Sequence, residues 1–166
     1  MRITSEYALF CKLGGFIGSN PEIVSSFPSL VGFEEKSDVL NTCFPIGIKV
    51  GDFHEDRYKK YSVLSYIFKI PQLTDRDDLF SISVLLHKRE NVETYKPALQ
   101  ELINLLDTNG LLNEEILKNY NQRIYEGLNE EKDIYIENLL IDFSKFFEEI
   151  KTQKSKAKPD IKGSFF

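Results

Sequence analysis

The sequence has few of the residues that usually carry redox or metal chemistry: its 166 residues include two cysteines and two histidines. Cys11 and Cys43 lie in apolar contexts, which indicates buried free thiols in a reducing compartment, although the sequence alone leaves a bridge between them open. The chain also lacks an apolar run long enough to span a bilayer. A short apolar run near Glu6 and Lys12 has no cleavage site, so we expect no signal peptide and a cytoplasmic protein.

Patterns for catalysis or metal binding are also scarce. The triplet His54-Glu55-Asp56 puts three potential ligands in a row, but adjacent residues on a turn do not easily converge on one ion. Thiols in apolar contexts stay protonated and inert, and the Gly-x-Ser-x-Gly pattern of a nucleophile elbow is missing. The sequence therefore predicts a protein that is not an enzyme, with no catalytic residue and no metal.

A cluster of glycines, Gly14, Gly15 and Gly18, raises the question of a phosphate-binding loop. The phosphate loop of nucleoside triphosphatases is incomplete, because no Lys-Ser or Lys-Thr follows the glycines. The dinucleotide-binding pattern is incomplete as well, because the Gly-x-Gly-x-x-Gly spacing is not met. Residues 22–28 are rich in β-branched side chains and end in proline, which favours a strand. We therefore interpret the glycines as a hairpin turn, where they supply positive φ angles.

The charge is unevenly distributed along the chain. The formal net charge is −5, but residues 151–166 hold five lysines and one aspartate, so the remainder carries −9. An acidic body is a poor binder of nucleic acid, which needs a basic face. We expect one domain over residues 1–150 and a mobile Lys-rich tail over residues 151–166. The tail is either simply solvated or contacts an anionic membrane peripherally, through Lys151, Lys154, Lys156 and Lys158.

The hydrophobic pattern predicts strands first and helices last. Period-two alternation indicates a strand, whereas apolar residues three and four apart indicate a helix. The predicted strands are Glu6–Leu13, Glu22–Phe27, Phe44–Asp52, Tyr61–Ile70 and Leu79–His87, with a short helix within Phe33–Cys43 and later helices at Tyr95–Leu106, Glu114–Leu128 and Asp133–Lys151. The order β-β-α-β-β-β-α-α-α predicts an α+β domain in which helices pack on a five-stranded antiparallel sheet.

Several stretches are similar to longin-like domains. "GSNPEIVSSFP" resembles the turn that opens many longin and upstream DENN modules, and "NTCFPIG" resembles a Phe-Pro-Asp-Gly strand start of upstream DENN segments. "YSVLSYIFKIP" followed by "LFSISVLLHKRENVETYKPALQELINLL" resembles the paired strands and helix of longin modules in nitrogen-permease-regulator and folliculin proteins. The resemblance covers roughly residues 6–106. It departs at Ile46, where an acidic residue is usual, and in the helical C-terminal part.

The resemblance implies a longin, profilin-like sheet and a non-catalytic interaction module. Longin-like domains act with small GTPases or with another longin subunit in membrane trafficking, they often dimerise, and they need no cofactor. We therefore expect a small GTPase or a second longin subunit as partner, with a homodimer as a further expectation. An activating arginine is not assigned among Arg57, Arg76 and Arg89, since each lies in a charged loop.

The same resemblance implies which surfaces bind the partner. The sheet edges would be Glu22–Phe27 and Phe44–Val50, and open edges offer unpaired backbone groups, so a partner strand or a covering segment is expected there. The candidate partner-binding residues are Ile23, Ser25, Phe27, Ile46, Ile48 and Val50, with Phe33 and Val39 of the short helix facing either a partner or the core. Two other functions stay open. One is a small-molecule-binding or enzymatic domain with a pocket between the sheet and the C-terminal helices, and the other is a membrane-peripheral adaptor.

Overall fold

The computed structural model describes residues 5–13, 21–30, 36–45, 47–70, 78–87 and 92–149. The predictions for the glycine-rich turn, Phe33, Ile46 and the Lys-rich segment 151–166 lie outside these residues. Among the helices described, none is both long and apolar enough to cross a membrane.

The described residues form an α+β fold around a five-stranded antiparallel sheet, as the hydrophobic pattern predicts. The strand order across the sheet is β2-β1-β5-β4-β3, so β2 and β3 are the edge strands. A second, two-stranded sheet pairs β6 with β7. The elements are β1 Ser5–Leu13, β2 Glu22–Phe27, α1 Lys36–Cys43, β3 Phe53–Tyr58, β4 Tyr61–Ile70, β5 Asp78–His87, a 3-10 turn Val92–Thr94, α2 Lys96–Thr108, α3 Glu114–Glu130, β6 Ile134–Ile136, β7 Leu139–Ile141 and α4 at residues 143–149.

The central strands β1, β4 and β5 are buried on both faces, because helices cover each side of the sheet. One face and its helices form what we call the α2/α3 layer, and the other face forms the α1 layer. The α2/α3 layer includes Phe10, Leu64, Phe68, Phe80, Ile82, Leu99, Leu102, Leu117, Ile124 and Leu128, and the α1 layer includes Leu9, Cys11, Leu30, Val39, Cys43, Phe44, Val63 and Leu85. The alternation seen in the sequence thus assigns each strand residue to one of two cores.

Small polar residues of β4 and β5 lie under α1 and are fully buried. Ser65 and Ser83 are opposite each other in the ladder, and their hydroxyl oxygens lie 2.6 Å apart. Ser83 also donates to the carbonyl oxygen of Cys43 at 3.5 Å. The serine face of β5 is therefore an internal surface, where small side chains and mutual hydrogen bonds let α1 approach the sheet.

The long helices begin and end where their terminal residues predict. Pro97 lies in the first turn of α2, where a missing N–H disturbs no intrahelical bond. Asn113 caps α3 by accepting a hydrogen bond from the Ile116 N–H at 2.9 Å. The prediction of helices at Tyr95–Leu106 and Glu114–Leu128 is confirmed, with each helix running two residues further.

The third strand lies later than predicted. The described residues of Phe44–Asp52 form no strand, because Gly47 and Gly51 adopt φ angles of 87° and 88° and turn the chain. The strand is β3, which pairs with β4 from Phe53 opposite Tyr66 to Tyr58 opposite Tyr61. The charges of residues 54–57 indicated a turn, but an edge strand exposes one side to water and accepts such side chains.

The predicted helix Asp133–Lys151 is a hairpin followed by a shorter helix. Glu131 ends α3 in the left-handed conformation, with φ 54°, and Glu137 turns the hairpin with φ 55°. Ile134, Ile136 and Ile141 point into the α2/α3 layer, and residues 143–149 are helical. Apolar residues in this stretch satisfy the helical spacing and the strand alternation at once, so the periodicity alone did not separate the two.

Candidate functional site

The two edges of the sheet differ strongly in how they meet solvent. An edge strand directs alternate N–H and C=O groups away from the sheet, where another strand can pair with them. Both β2 and β3 occupy this position. The question for function is therefore whether either edge is protected against such pairing.

The β3 edge is highly charged, and several of its polar groups are already engaged. Its four central residues are His54, Glu55, Asp56 and Arg57, and a carboxylate oxygen of Asp56 accepts the Arg57 backbone N–H at 2.7 Å. The Lys96 ammonium of α2 donates to the Glu55 carboxylate at 3.1 Å. Charged side chains and an occupied N–H are devices that keep an edge from pairing with another strand.

The β3 side chains do not assemble a metal site. His54 Nε2 lies 3.5 Å from Asp56 Oδ2 without a hydrogen bond between them. Among the residues that the structure describes, no group of three or more His, Cys, Asp or Glu side chains is placed to hold an ion.

The β2 edge is largely uncharged. Glu22 begins the strand and pairs with Lys12 at 3.3 Å, whereas residues 23–27 are apolar or hydroxyl-bearing and only partly buried. The ladder with β1 is irregular: Phe10 is opposite Ser25 and Cys11 is opposite Ile23, so Val24 is the extra residue of a bulge. This strand lacks the charged side chains that protect β3.

The side chains of β2 contact the chain's own core on both faces. Ile23 packs against the α1 layer, whereas the Ser25 hydroxyl donates to Asn121 at 2.7 Å. The Phe27 ring lies 5.3 Å from the Tyr125 ring of α3. The structure thus places the predicted residues Ile23, Ser25 and Phe27 at the sheet edge, and what a partner would meet there is chiefly the backbone.

Asn121 of α3 is the polar residue that supports this edge, and it was not among the residues predicted from the sequence. Only 3% exposed, it accepts from Ser25 and donates from its amide nitrogen to the Ala8 carbonyl oxygen at 3.2 Å. A signal was present: Asn121 lies four residues after Leu117 and three before Ile124, within the buried stripe of α3. A buried polar side chain in such a stripe needs a hydrogen-bond partner, and here the partners are Ser25 of β2 and Ala8 of the neighbouring strand β1.

Lys12 provides a second tie between the edge and α3. Its ammonium lies 2.7 Å from the Glu114 carboxylate and 3.3 Å from that of Glu22. The hydrogen bond with Glu114 is the main cause that raises the pKa of Lys12 above its ordinary value. The same bond lowers the pKa of Glu114, with Lys118 adding to the effect. These groups stay charged at neutral pH and link β1, β2 and α3.

The other predicted partner-binding residues that the structure describes, Val39, Ile48 and Val50, do not lie on an edge strand. Val39 is fully buried in the α1 layer, so it is a core residue and not a partner contact. Ile48 packs partly against the same layer, and Val50 is 47% exposed in a turn. The expected edge Phe44–Val50 is therefore wrong, because β3 occupies that side of the sheet.

Both cysteines are buried free thiols, as the sequence predicts. Burial is the main cause that raises the pKa of Cys11 well above its ordinary value, and the neighbouring Cys43 adds to it. Burial likewise raises the pKa of Cys43 to about 12. Protonated thiols of this kind are poor nucleophiles and poor ligands.

The alternative function, a ligand-binding or enzymatic domain, would place a pocket at the interface between the sheet and α2/α3. In the described residues it is filled by large side chains that are fully buried, among them Leu64, Leu99 and Leu102. Asn121 is a buried polar side chain there, and its hydrogen bonds are used within the fold.

A scan of protein-family models finds no match to the chain, and no curated protein matches it. The fold alone therefore defines the class of protein: it is an α+β protein with a five-stranded antiparallel sheet that has one highly charged edge and one largely uncharged edge.

Proposed function

We propose that the chain is a non-catalytic protein–protein interaction module of longin type, which binds a small GTPase or a second longin-type subunit through the edge of β2. Two features support the longin assignment. The element order begins β-β-α-β-β-β, and β2 forms a sheet edge at Glu22–Phe27, where the resemblance implies one. A second copy of the chain would use the same edge.

The observation that carries the proposal is the difference between the two edges. Charged side chains and the engaged N–H of Arg57 protect β3 from strand addition, whereas residues 23–27 of β2 carry no charge. Sheet proteins generally protect the edges that they do not use. An uncharged edge beside a protected one is therefore typical of a surface that receives a strand.

Strand addition at β2 would draw its affinity from the backbone. Each main-chain hydrogen bond contributes about 0.5–1.5 kcal/mol net, so a partner strand along a six-residue edge gains several such terms. Asn121 and Lys12 hold β2 in place before the partner arrives, and this preorganisation lowers the entropic cost of binding.

The test is the molar mass in solution, measured by light scattering for the chain alone and mixed with purified small GTPases in each nucleotide state. We expect a dimer or a nucleotide-selective complex. Ser26→Lys should abolish it, because a long charged side chain on an edge strand opposes pairing. The matched control is Gln122→Lys, which adds the same charge on the exposed face of α3, where the lysine still reaches Glu126.

Loss of the complex in both variants would point to charge alone and would contradict edge pairing. A strict monomer that binds no GTPase in either nucleotide state would remove the functional proposal and leave the fold unchanged. Thermal unfolding of both variants confirms that each is folded before the masses are compared.

A further inference from the structure

The β6–β7 hairpin exposes two large apolar side chains next to each other. Tyr135 is 58% exposed and Leu140 is 41% exposed, and the two lie directly opposite across the strands. Single exposed hydrophobic residues are common on protein surfaces, whereas Tyr135 and Leu140 form one adjacent apolar pair at a fixed site.

The opposite side of the hairpin is firmly held by the core. Ile134 is 5% exposed, and Ile136 and Ile141 are fully buried in the α2/α3 layer. Alternation along each strand then forces the side chains of Tyr135 and Leu140 outward. Their exposure follows from how the hairpin is anchored and not from a loose end of the chain.

Two residues of α3 fix the hairpin backbone from beside it. Arg123 donates to the Tyr135 carbonyl oxygen at 2.9 Å, and the Glu137 N–H donates to the Tyr120 hydroxyl at 3.3 Å. The Arg123 guanidinium also lies 5.4 Å from the centre of the Tyr120 ring. We call Tyr120, Arg123, Tyr135 and Leu140 the hairpin face. Tyrosine and arginine are enriched among residues that dominate binding energy, and here they are preorganised.

The segment of chain that carries most of the hairpin face is acidic. Residues 123–137 contain two basic and five acidic residues, a formal net charge of −3. A second copy of the chain would bring the same negative charge against it, which opposes self-association at this surface. A partner with basic residues around an apolar side chain would be complementary in both charge and polarity.

We propose that the hairpin face binds a segment of a partner protein in which a large apolar side chain is flanked by lysines or arginines. The apolar side chain packs against Tyr135 and Leu140, and the flanking cations are attracted by the net negative charge of residues 123–137. This surface is separate from the β2 edge, and the proposal does not depend on strand addition there.

The test uses a phage-displayed library of random twelve-residue peptides as the probe, selected on the full chain and counter-selected on a Tyr135→Thr, Leu140→Thr variant. Threonine keeps the strand propensity of both positions while removing the apolar surface. The matched control is Val50→Thr, which alters another exposed apolar residue, in a turn outside the hairpin.

We expect the selected peptides to carry a large apolar residue flanked by lysine or arginine. Their binding should weaken by about tenfold or more in the double variant, stay unchanged in Val50→Thr, and decrease with rising salt. Peptides that are neutral or acidic, or that bind both variants equally, would overturn the proposal. A lower oligomeric mass for the double variant than for the wild type would also overturn the proposal, because a second copy of the chain would then occupy the hairpin face. Equal melting temperatures show that the comparison is between folded proteins.

Discussion

At the residue scale, Gly127 shows how a side chain's absence permits packing. A Cβ at this position would lie 2.6 and 2.8 Å from two ring carbons of Phe143 and 3.0 Å from a methyl carbon of Ile134. Phe143 is fully buried, so its ring has little room to move. Gly127 therefore lets α4 and the hairpin lie directly against α3.

We expect Gly127→Ala to destabilise the fold. In an exposed helix the change would add about 1 kcal/mol of stability, but overpacking a filled core costs about 1–3 kcal/mol, and the contact with Phe143 makes the second effect dominate. Urea unfolding followed by circular dichroism measures the difference. Asn119→Ala, on the exposed face of the same helix, is the control and should be neutral or slightly stabilising. Equal stabilisation by both changes would show that the approach to Phe143 is not tight.

Asn121 supplies a second prediction at this scale. Asn121→Ala removes this hydrogen-bond partner from the partly buried Ser25 hydroxyl and from the Ala8 carbonyl, so we expect it to destabilise the fold by about 1–3 kcal/mol. Ser25→Ala should therefore cost less in the Asn121→Ala background than alone. A double-mutant cycle from urea unfolding measures this coupling, and simple additivity of the two changes would contradict the hydrogen bond.

At the scale of elements, the link between the edge strand and α3 depends on pH. The hydrogen bond from Lys12 lowers the pKa of Glu114 from its ordinary value of 4.5. Since the folded-state pKa is the lower one, this group adds stability above its unfolded-state pKa, and the contribution is lost as pH falls through the folded-state pKa. The window is therefore the acidic range below the ordinary pKa of a glutamate.

The expected result is a pH-dependent difference between the wild type and Glu114→Gln. The variant should be less stable at neutral pH, and the two proteins should converge as the pH falls from about 7 to about 3. Glu115→Gln is the control, because Glu115 lies in the same first turn of α3 and is exposed. A difference that persists unchanged in acid would show that the Glu114 carboxylate does not act through its charge.

The elements also show which parts of the fold the sequence could predict. The strands β4 and β5 have an unambiguous period of two, and α2 and α3 combine an apolar stripe with terminal signals such as Pro97 and Asn113, so their positions were predicted closely. The strand β3 was missed because its charges belong to an edge, which is a property of the sheet and not of the segment. The hairpin was missed because its turn rests on Glu137 with a positive φ, for which the residue type gives little warning.

The candidate site was predictable only in part, for a similar reason. The longin resemblance implied that Glu22–Phe27 lies at an edge, where the structure places β2, and the sequence showed that residues 23–27 are uncharged. The partners of their side chains, Asn121 and Tyr125, lie about a hundred residues away in α3. Contacts between residues so far apart along the chain depend on tertiary packing, which the hydrophobic pattern of a single segment does not predict.

At the scale of the whole molecule, the charge asymmetry gives a prediction for residues 151–166, which lie outside the described structure. If the Lys-rich segment contacts anionic lipid, the chain should bind vesicles of phosphatidylserine and phosphatidylcholine, with about 1 kcal/mol from each lysine near the surface. Replacing Lys151, Lys154, Lys156 and Lys158 by glutamine should remove most of this binding, and rising salt should weaken it. Vesicle co-sedimentation measures it, with pure phosphatidylcholine as control. Equal binding to both kinds of vesicle would contradict a role for these lysines.

The central claim is that a strand of the partner pairs with β2 and not with β3. The most direct measurement is photo-crosslinking from each edge, with benzoylphenylalanine placed at Ser26 of β2 or at the exposed Arg57 of β3. Each labelled chain is irradiated alone at high concentration and in mixtures with purified small GTPases in each nucleotide state. The account predicts an intermolecular product from position 26 and none from position 57. Any product from position 57, or none from position 26, would contradict it.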